Sequence, residues 1–78
     1  MNIRLEMEEY LLNLAKEISP VFRFIIEKYI SITQSKSEDK IVIKIKIPED
    51  FLNSFKTELN EFIEELEARG IDYELIID

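Results

Sequence analysis

The chain of 78 residues contains no cysteine and no histidine. Without cysteine there is no disulfide and no thiolate metal site, and without histidine the usual protein ligand of zinc, copper and iron is missing. Oxygen ligands would still suit calcium or magnesium, but no segment resembles a calcium-binding loop. We therefore expect no metal and no cofactor.

Glycine and proline are also scarce, with one glycine and two prolines in the chain. That scarcity argues against disorder, and the length suits a single domain over residues 1–78. No apolar run approaches the roughly 20 residues of a membrane span, and no signal-peptide pattern is present. We expect a cytoplasmic protein without a membrane segment, and the charged fraction of 35%, rich in lysine and glutamate, is typical of thermophile proteins.

Patterns typical of enzymes are missing as well. A serine, threonine or lysine nucleophile would have no histidine base, and no glycine-rich loop could hold a phosphate group. The many acidic side chains in residues 58–67 lie mostly away from the apolar stripe of a helix, where no pocket would shift their pKa values apart for catalysis. The sequence predicts a protein that is not an enzyme and takes no small-molecule substrate.

Hydrophobic periodicity changes twice in residues 41–77, and this is the strongest structural signal. Apolar residues alternate in 41–47, recur every three to four residues in 51–66, and alternate again in 71–77. Side chains change sides at every residue of a strand and every 3.6 residues of a helix, so this order predicts a β-α-β unit. Gly70 is well placed as the left-handed residue after the helix.

Residues 2–7 alternate like a short strand, and a strand is our prediction for them. A helical stripe that would begin at Ile3 is the alternative. From Glu8 onward the helical pattern prevails. The Ser19-Pro20 pair ends this helix, because proline disfavours helical geometry in the residue before it.

Residues 21–30 allow two interpretations, a strand that would run from about residue 22 to residue 34 or a short helix. As a strand they place Phe22 and Phe24 on one face, and a hairpin loop over 36–39 leads into the next strand. As a helix they would be capped by Ser19, with a proline in the first turn. We predict the strand.

The resulting order is β-α-β-β-α-β, and the fold class is α+β. Its natural solution is the two-layer ferredoxin-like (split β-α-β) sandwich, an antiparallel sheet with two helices on one face. The other face would expose apolar residues, and a small domain gains stability by burying them in a homodimer. The candidate dimer face consists of Val21, Ile25, Tyr29, Val42 and Ile76.

Charge is unevenly distributed along this acidic chain, whose formal net charge is −7. The segment 28–46 has five lysines against two acids, whereas 49–69 has seven acids against two bases. An acidic molecule as a whole is a poor nucleic-acid binder, but a lysine-rich hairpin suits RNA, and the candidate nucleic-acid contacts are Lys40, Lys44 and Lys46. A further alternative is a small acidic inhibitor or regulator of a nucleic-acid enzyme, of the kind that some viruses make.

The segment 47–66 has an acidic opening followed by a recurring set of residue types: Asp50, Ser54, Lys56, Leu59, Asn60 and Phe62. This arrangement resembles the second helix of the small dimerising subunit of the KEOPS complex, which makes the threonylcarbamoyl-adenosine modification of tRNA. That family typically has Ser-x-Arg-x-x-hydrophobic-Asn-x-aromatic. Lys56 departs from the arginine, and lysine cannot make the same bidentate contact. The last strand, 71–77, is also atypical of the family.

The resemblance implies a scaffolding role. Proteins of this family form dimers that bridge two copies of a catalytic, ATPase-like subunit and assist tRNA engagement without performing chemistry. Helical geometry places a set of polar residues on one flank of the second helix, and Leu12 lies off the stripe of the first helix. We expect a non-catalytic, homodimeric protein-interaction subunit, indirectly associated with tRNA, whose candidate partner contacts are Leu12, Asn53, Lys56, Asn60 and Glu67.

Overall fold

The computed structural model of the protein describes residues 3–35 and 40–78. Over these residues it has an α+β arrangement of four helices and three strands. The helices are α1 (Ile3–Ile18), α2 (Pro20–Ile26), α3 (Glu49–Ser54) and α4 (Lys56–Ala68), and the strands are β1 (Ile30–Ser35), β2 (Lys40–Ile47) and β3 (Tyr73–Ile77). The predicted hairpin loop over 36–39 lies outside the described residues.

The strand predicted for residues 2–7 is wrong, because Ile3 already belongs to a helix. α1 runs over 16 residues. A helix of this length buries Leu11, Leu14 and Ala15 along one stripe, at spacings of three and four residues. Helical stability in proteins comes largely from packing such a face, so the continuous stripe outweighs the short alternating pattern before it.

Ser19 and Pro20 separate α1 from α2. The Ser19 side chain accepts a hydrogen bond from the Phe22 N–H at 3.4 Å, and Pro20 occupies the first turn, where its missing N–H has no cost. The strand predicted for 22–34 is therefore wrong up to residue 29 and confirmed from Ile30 onward. The helical alternative is correct for Pro20–Ile26, because Ser19 caps this helix and Pro20 suits its first position.

The sheet has the strand order β1-β2-β3. β1 and β2 pair antiparallel, with Ile32 opposite Ile43, as the predicted hairpin requires. β2 and β3 pair parallel, with Lys44 opposite Glu74. The β-α-β unit predicted for 41–77 is confirmed, but the ferredoxin-like order with its antiparallel sheet is not, because the segment expected to supply a further strand is helical.

The long helix predicted after β2 is divided in two. α3 and α4 meet at Phe55, whose backbone leaves helical geometry at φ −126° and ψ 31°. α4 ends in a Schellman motif, in which the Ile71 N–H donates to the Leu66 carbonyl at 2.9 Å and the Gly70 N–H to the Glu67 carbonyl at 3.1 Å. Gly70 has a φ of +68°, as the sequence predicts for this position.

The helices cover one face of the sheet. Ile43, Ile45 and Ile47 of β2 are fully buried, and they join buried residues of all four helices in one core cluster. Lys44 and Lys46, which alternate with them, are exposed on the other side. The predicted two-layer arrangement, with helices on one side only, therefore holds for the described residues.

Candidate interaction surface

The face of the sheet opposite the helices is open to solvent. Its polar side chains are exposed, and two apolar ones are half-buried without belonging to the core cluster. Strand alternation and the ladder register assign the members of this surface. We define the open face as Ser31, Thr33, Val42, Lys44, Lys46, Glu74 and Ile76.

Opposite charges run side by side along the open face. Lys44 and Glu74 occupy directly opposite positions of the ladder between β2 and β3. One step along, the Lys46 Nζ lies 3.9 Å from the Oδ2 of Asp78, which follows β3. Exposed pairs of this kind contribute at most about 1 kcal/mol to stability. Their larger consequence is a positive row on β2, formed by Lys44 and Lys46, beside a negative row of two acids, Glu74 in β3 and Asp78 after it.

The three predicted nucleic-acid contacts all belong to β2. Lys44 and Lys46 are exposed on the open face. Lys40 begins the strand opposite Ser35 of β1. The strand thus has lysine at three even-numbered positions, as the sequence suggests. Glu74 of β3 lies directly beside Lys44, the middle one of the three.

The predicted dimer face is not brought together. Val42 and Ile76 lie on the open face, on neighbouring strands. Val21 is 58% exposed on α2, and Ile25 packs against the core from the same helix. The Tyr29 ring turns to the helix side, where its centroid lies 5.2 Å from the Phe51 centroid. These last three residues were expected on a strand, and the helix at 20–26 moves them to the other layer.

The predicted partner contacts lie in the helix layer. Lys56, Asn60 and Glu67 are exposed along one flank of α4. Asn53 is exposed on α3, beyond the bend at Phe55, so helical spacing no longer places it on that flank. Leu12 is half-buried on α1 and does not contact the core cluster.

A depression of about 440 Å³ lies at one end of the sheet, where α2 leads into β1 and β2 leads into α3. Lys28, Tyr29, Ser31 and Lys46 line it, together with Asp78. The Lys28 Nζ lies 5.5 Å from the centroid of the Phe24 ring, and the Lys46 Nζ lies 3.9 Å from the Asp78 Oδ2, so both lysines of this lining already have partners within the chain. The sequence signal for this site was limited, because Lys28 and Lys46 are brought together only by the sheet.

Two contacts on the helix side tie α4 to its neighbours. The Arg69 guanidinium donates to the Glu65 carboxylate and to the Tyr10 hydroxyl. Both hydrogen bonds raise the pKa of Arg69, and the bond to Glu65 has the larger effect. The Tyr73 O–H donates to Glu67 Oε1 at 2.7 Å and this bond raises the pKa of Tyr73, since only the protonated phenol can donate. Glu67 is thus engaged within the chain as well as exposed.

A second depression, of about 320 Å³, separates α1 from α4, and four carboxylates line it: Glu17, Glu61, Glu64 and Glu65. It is part of the acidic helix surface that the charge distribution predicts. In the part of the chain that the structure describes, no three acidic side chains are grouped so as to hold a metal ion.

Sequence reasoning placed Ile76 of β3 on the open face but did not include Thr33 of β1. Ser31 and Thr33 had a signal, since polar and apolar residues alternate over 30–34. The alignment of Lys44 with Glu74 had none, because it depends on which strands are neighbours and in which direction they run.

No protein-family model matches this chain, and no curated protein or solved structure matches it either. The class is therefore defined by the fold alone, a small α+β domain whose mixed three-stranded sheet is covered on one face. Of the helices in residues 3–35 and 40–78, none has the length and apolar character needed to cross a bilayer.

Proposed function

We propose that this chain is a non-catalytic protein-interaction subunit and that it pairs with a second copy of itself through the open face. One observation carries the proposal: Lys44 of β2 is aligned with Glu74 of β3 on a face that no described element covers. A positive row beside a negative row is self-complementary under a two-fold rotation.

The geometry of that rotation follows from the register. A two-fold axis parallel to the strands, midway between β2 and β3, stacks two sheets and exchanges the two rows. Lys44 of each copy then lies over Glu74 of the other. Stacked sheets are about 10 Å apart, a distance that extended lysine and glutamate side chains span together. The same operation covers Ile76 with the alkyl stem of the second copy's Lys46.

The size of the open face sets the expected strength. Three strands about 4.8 Å apart and about 20 Å long give a footprint of roughly 300 Å². A standard interface buries about 800 Å² of each partner, so this dimer belongs with weak, transient associations. We expect a dissociation constant in the micromolar range, and a concentration-dependent mixture of monomer and dimer.

The resemblance to the KEOPS small subunit extends this proposal to a particular assembly. Lys56, Asn60 and Glu67 lie on the helix layer, so a dimer through the open face would leave this flank available on both copies. Two such flanks suit the bridging of two larger partner subunits, and association with tRNA would then be indirect. This extension rests on the resemblance, whereas the dimer rests on the charge rows.

Direct RNA binding is the less favoured function for the same surface. Glu74 and Asp78 stand beside the lysines of β2 and oppose their attraction for phosphate. RNA-binding sheets also stack bases on aromatic rings, and the ring of Tyr29, which precedes β1, contacts Phe51 on the helix side.

Exchange of the two charges tests the dimer. Lys44→Glu and Glu74→Lys should each weaken self-association at least about tenfold, because each replaces two attractive pairs across the axis by two repulsive ones. The double variant K44E/E74K restores both pairs and should recover the wild-type dissociation constant. Sedimentation equilibrium over a wide range of concentrations measures all four proteins.

Lys56→Glu is the matched control, since it makes the same charge change on α4. It should leave the dissociation constant unchanged, and thermal unfolding of each variant identifies any loss of fold. A wild-type chain that stays monomeric at hundreds of micromolar would contradict the proposal. Failure of the double variant to recover association would contradict the specific pairing.

A further inference from the structure

The backbone of β3 bonds to β2 through alternate residues. The Ile43 N–H donates to the Asp72 carbonyl at 3.1 Å, and the Asp78 N–H donates to the Ile47 carbonyl at 2.9 Å. In a parallel ladder every second residue of a strand bonds to the same neighbour. The even-numbered residues from 72 to 78 therefore direct their backbone groups towards β2.

The odd-numbered residues Tyr73, Leu75 and Ile77 direct their N–H and C=O groups away from β2. β3 stands at the edge of the sheet, and no described strand lies on that outer side. A row of such groups is a template for another strand. The side chains beside it are largely apolar: Ile77 is 49% exposed, and Leu75 and Ile76 are half-buried.

A second copy of β3 is a poor occupant of this edge. Suppose that a second β3 pairs antiparallel with the first, and that the helices of both copies lie on the same side of the joined sheet. Odd-numbered residues must then lie opposite odd-numbered ones, and even-numbered residues opposite even-numbered ones. The registers that overlap most of the strand then place Asp72 against Asp78, Glu74 against Asp78, or Glu74 against itself. Like charges in directly opposite positions are destabilising. The acids therefore disfavour self-pairing and attract cationic side chains.

We propose that the outer edge of β3 binds an extended strand of a protein partner in which lysine or arginine alternates with apolar residues. The cationic side chains lie on the open-face side, beside Glu74 and Asp78. The apolar ones lie on the helix side, beside Leu75 and Ile77. Main-chain hydrogen bonds supply affinity and the alternation supplies specificity. The edge shares Glu74 with the open face, but its outward main-chain groups are not part of that face. The inference does not depend on the proposed dimer.

Two synthetic peptides test the inference, one of alternating lysine and valine and a matched one of alternating glutamate and valine. In NMR titrations of the full chain, the lysine peptide should slow hydrogen exchange of the Tyr73, Leu75 and Ile77 amides, while the glutamate peptide should leave it unchanged. Equal effects of both peptides would overturn the proposal. Absence of any effect at millimolar peptide, or protection confined to other strands, would overturn it too.

Ile77→Pro removes one outward N–H and no bond to β2, because the N–H of residue 77 faces the edge. We expect it to weaken binding of the lysine peptide about tenfold, the equivalent of one main-chain hydrogen bond. Ile77→Ala keeps the N–H and should weaken binding less. Equal affinities of these two variants would contradict strand pairing. Sedimentation of Ile77→Pro separates the two proposals, since the dimer through the open face should persist.

Discussion

At the scale of single residues, Phe22 is the side chain on which the aromatic packing converges. It is fully buried, and its ring centroid lies 5.9 Å from that of Phe51, 6.2 Å from Phe55 and 5.8 Å from Phe62. These rings belong to α3, to the bend and to α4. One side chain of α2 therefore holds the helices of both halves of the chain together.

Phe22→Ala should lower the free energy of unfolding by about 3–5 kcal/mol, through lost burial and the cavity left behind. That loss is comparable to the total stability of a small domain, about 5 kcal/mol, so we expect the variant to retain only about 0–2 kcal/mol of folding stability. Circular dichroism during urea denaturation measures the difference. Phe24→Ala is the control in the same helix: its ring is 63% exposed, and we expect a change within about 0.5 kcal/mol. Equal losses in the two variants would contradict this packing.

At the scale of elements, hydrophobic periodicity correctly predicted the strands and the helical region in the second half of the chain. In the first half it predicted strands where the structure has helices. Apolar residues alternate regularly in β2 and β3, whereas α4 has an apolar stripe and is followed by a glycine. Each of these patterns is therefore compatible with only one type of secondary structure. In residues 22–26 the apolar side chains fit either period, and the decisive information lies outside the run, in the cap at Ser19 and the proline after it. The bend at Phe55 contains neither proline nor glycine, so no local signal predicts it.

Gly70 tests the element boundary that the sequence did predict. Gly70→Ala should destabilise the protein by about 1 kcal/mol, because a Cβ is disfavoured at a φ of +68°. An added Cβ would meet no atom within 4 Å, so the cost comes from backbone conformation alone. Gly70→Asn should lose less, since asparagine tolerates left-handed geometry. Urea titration compares the three proteins, and an alanine variant as stable as the wild type would contradict the assigned helix end.

At the scale of the whole molecule, topology decides which predicted site residues meet. The lysines of β2, with Val42 and Ile76, share a face because strand alternation within their own segments places them there. Val21, Ile25 and Tyr29 could join them only if their segment were a strand of the same sheet. Which strands are neighbours is not encoded in the period of any single segment, and the loss of the strand at 2–7 changes the neighbour of β3.

A cysteine pair tests that topology directly, because the natural chain has no cysteine. Lys44→Cys with Glu74→Cys should form an intramolecular disulfide under mild oxidation, since neighbouring strands are about 4.8 Å apart and a disulfide needs Cα atoms within about 7 Å. Ser31→Cys with Glu74→Cys is the control: both positions are opposite residue 44, on either side of β2, and hence about 10 Å apart. It should stay reduced as a monomer. Peptide mass mapping at low protein concentration distinguishes intramolecular from intermolecular links. A strand inserted between β2 and β3, as in the ferredoxin-like order, would separate residues 44 and 74 by the same two strand spacings, and the first pair would then fail to close.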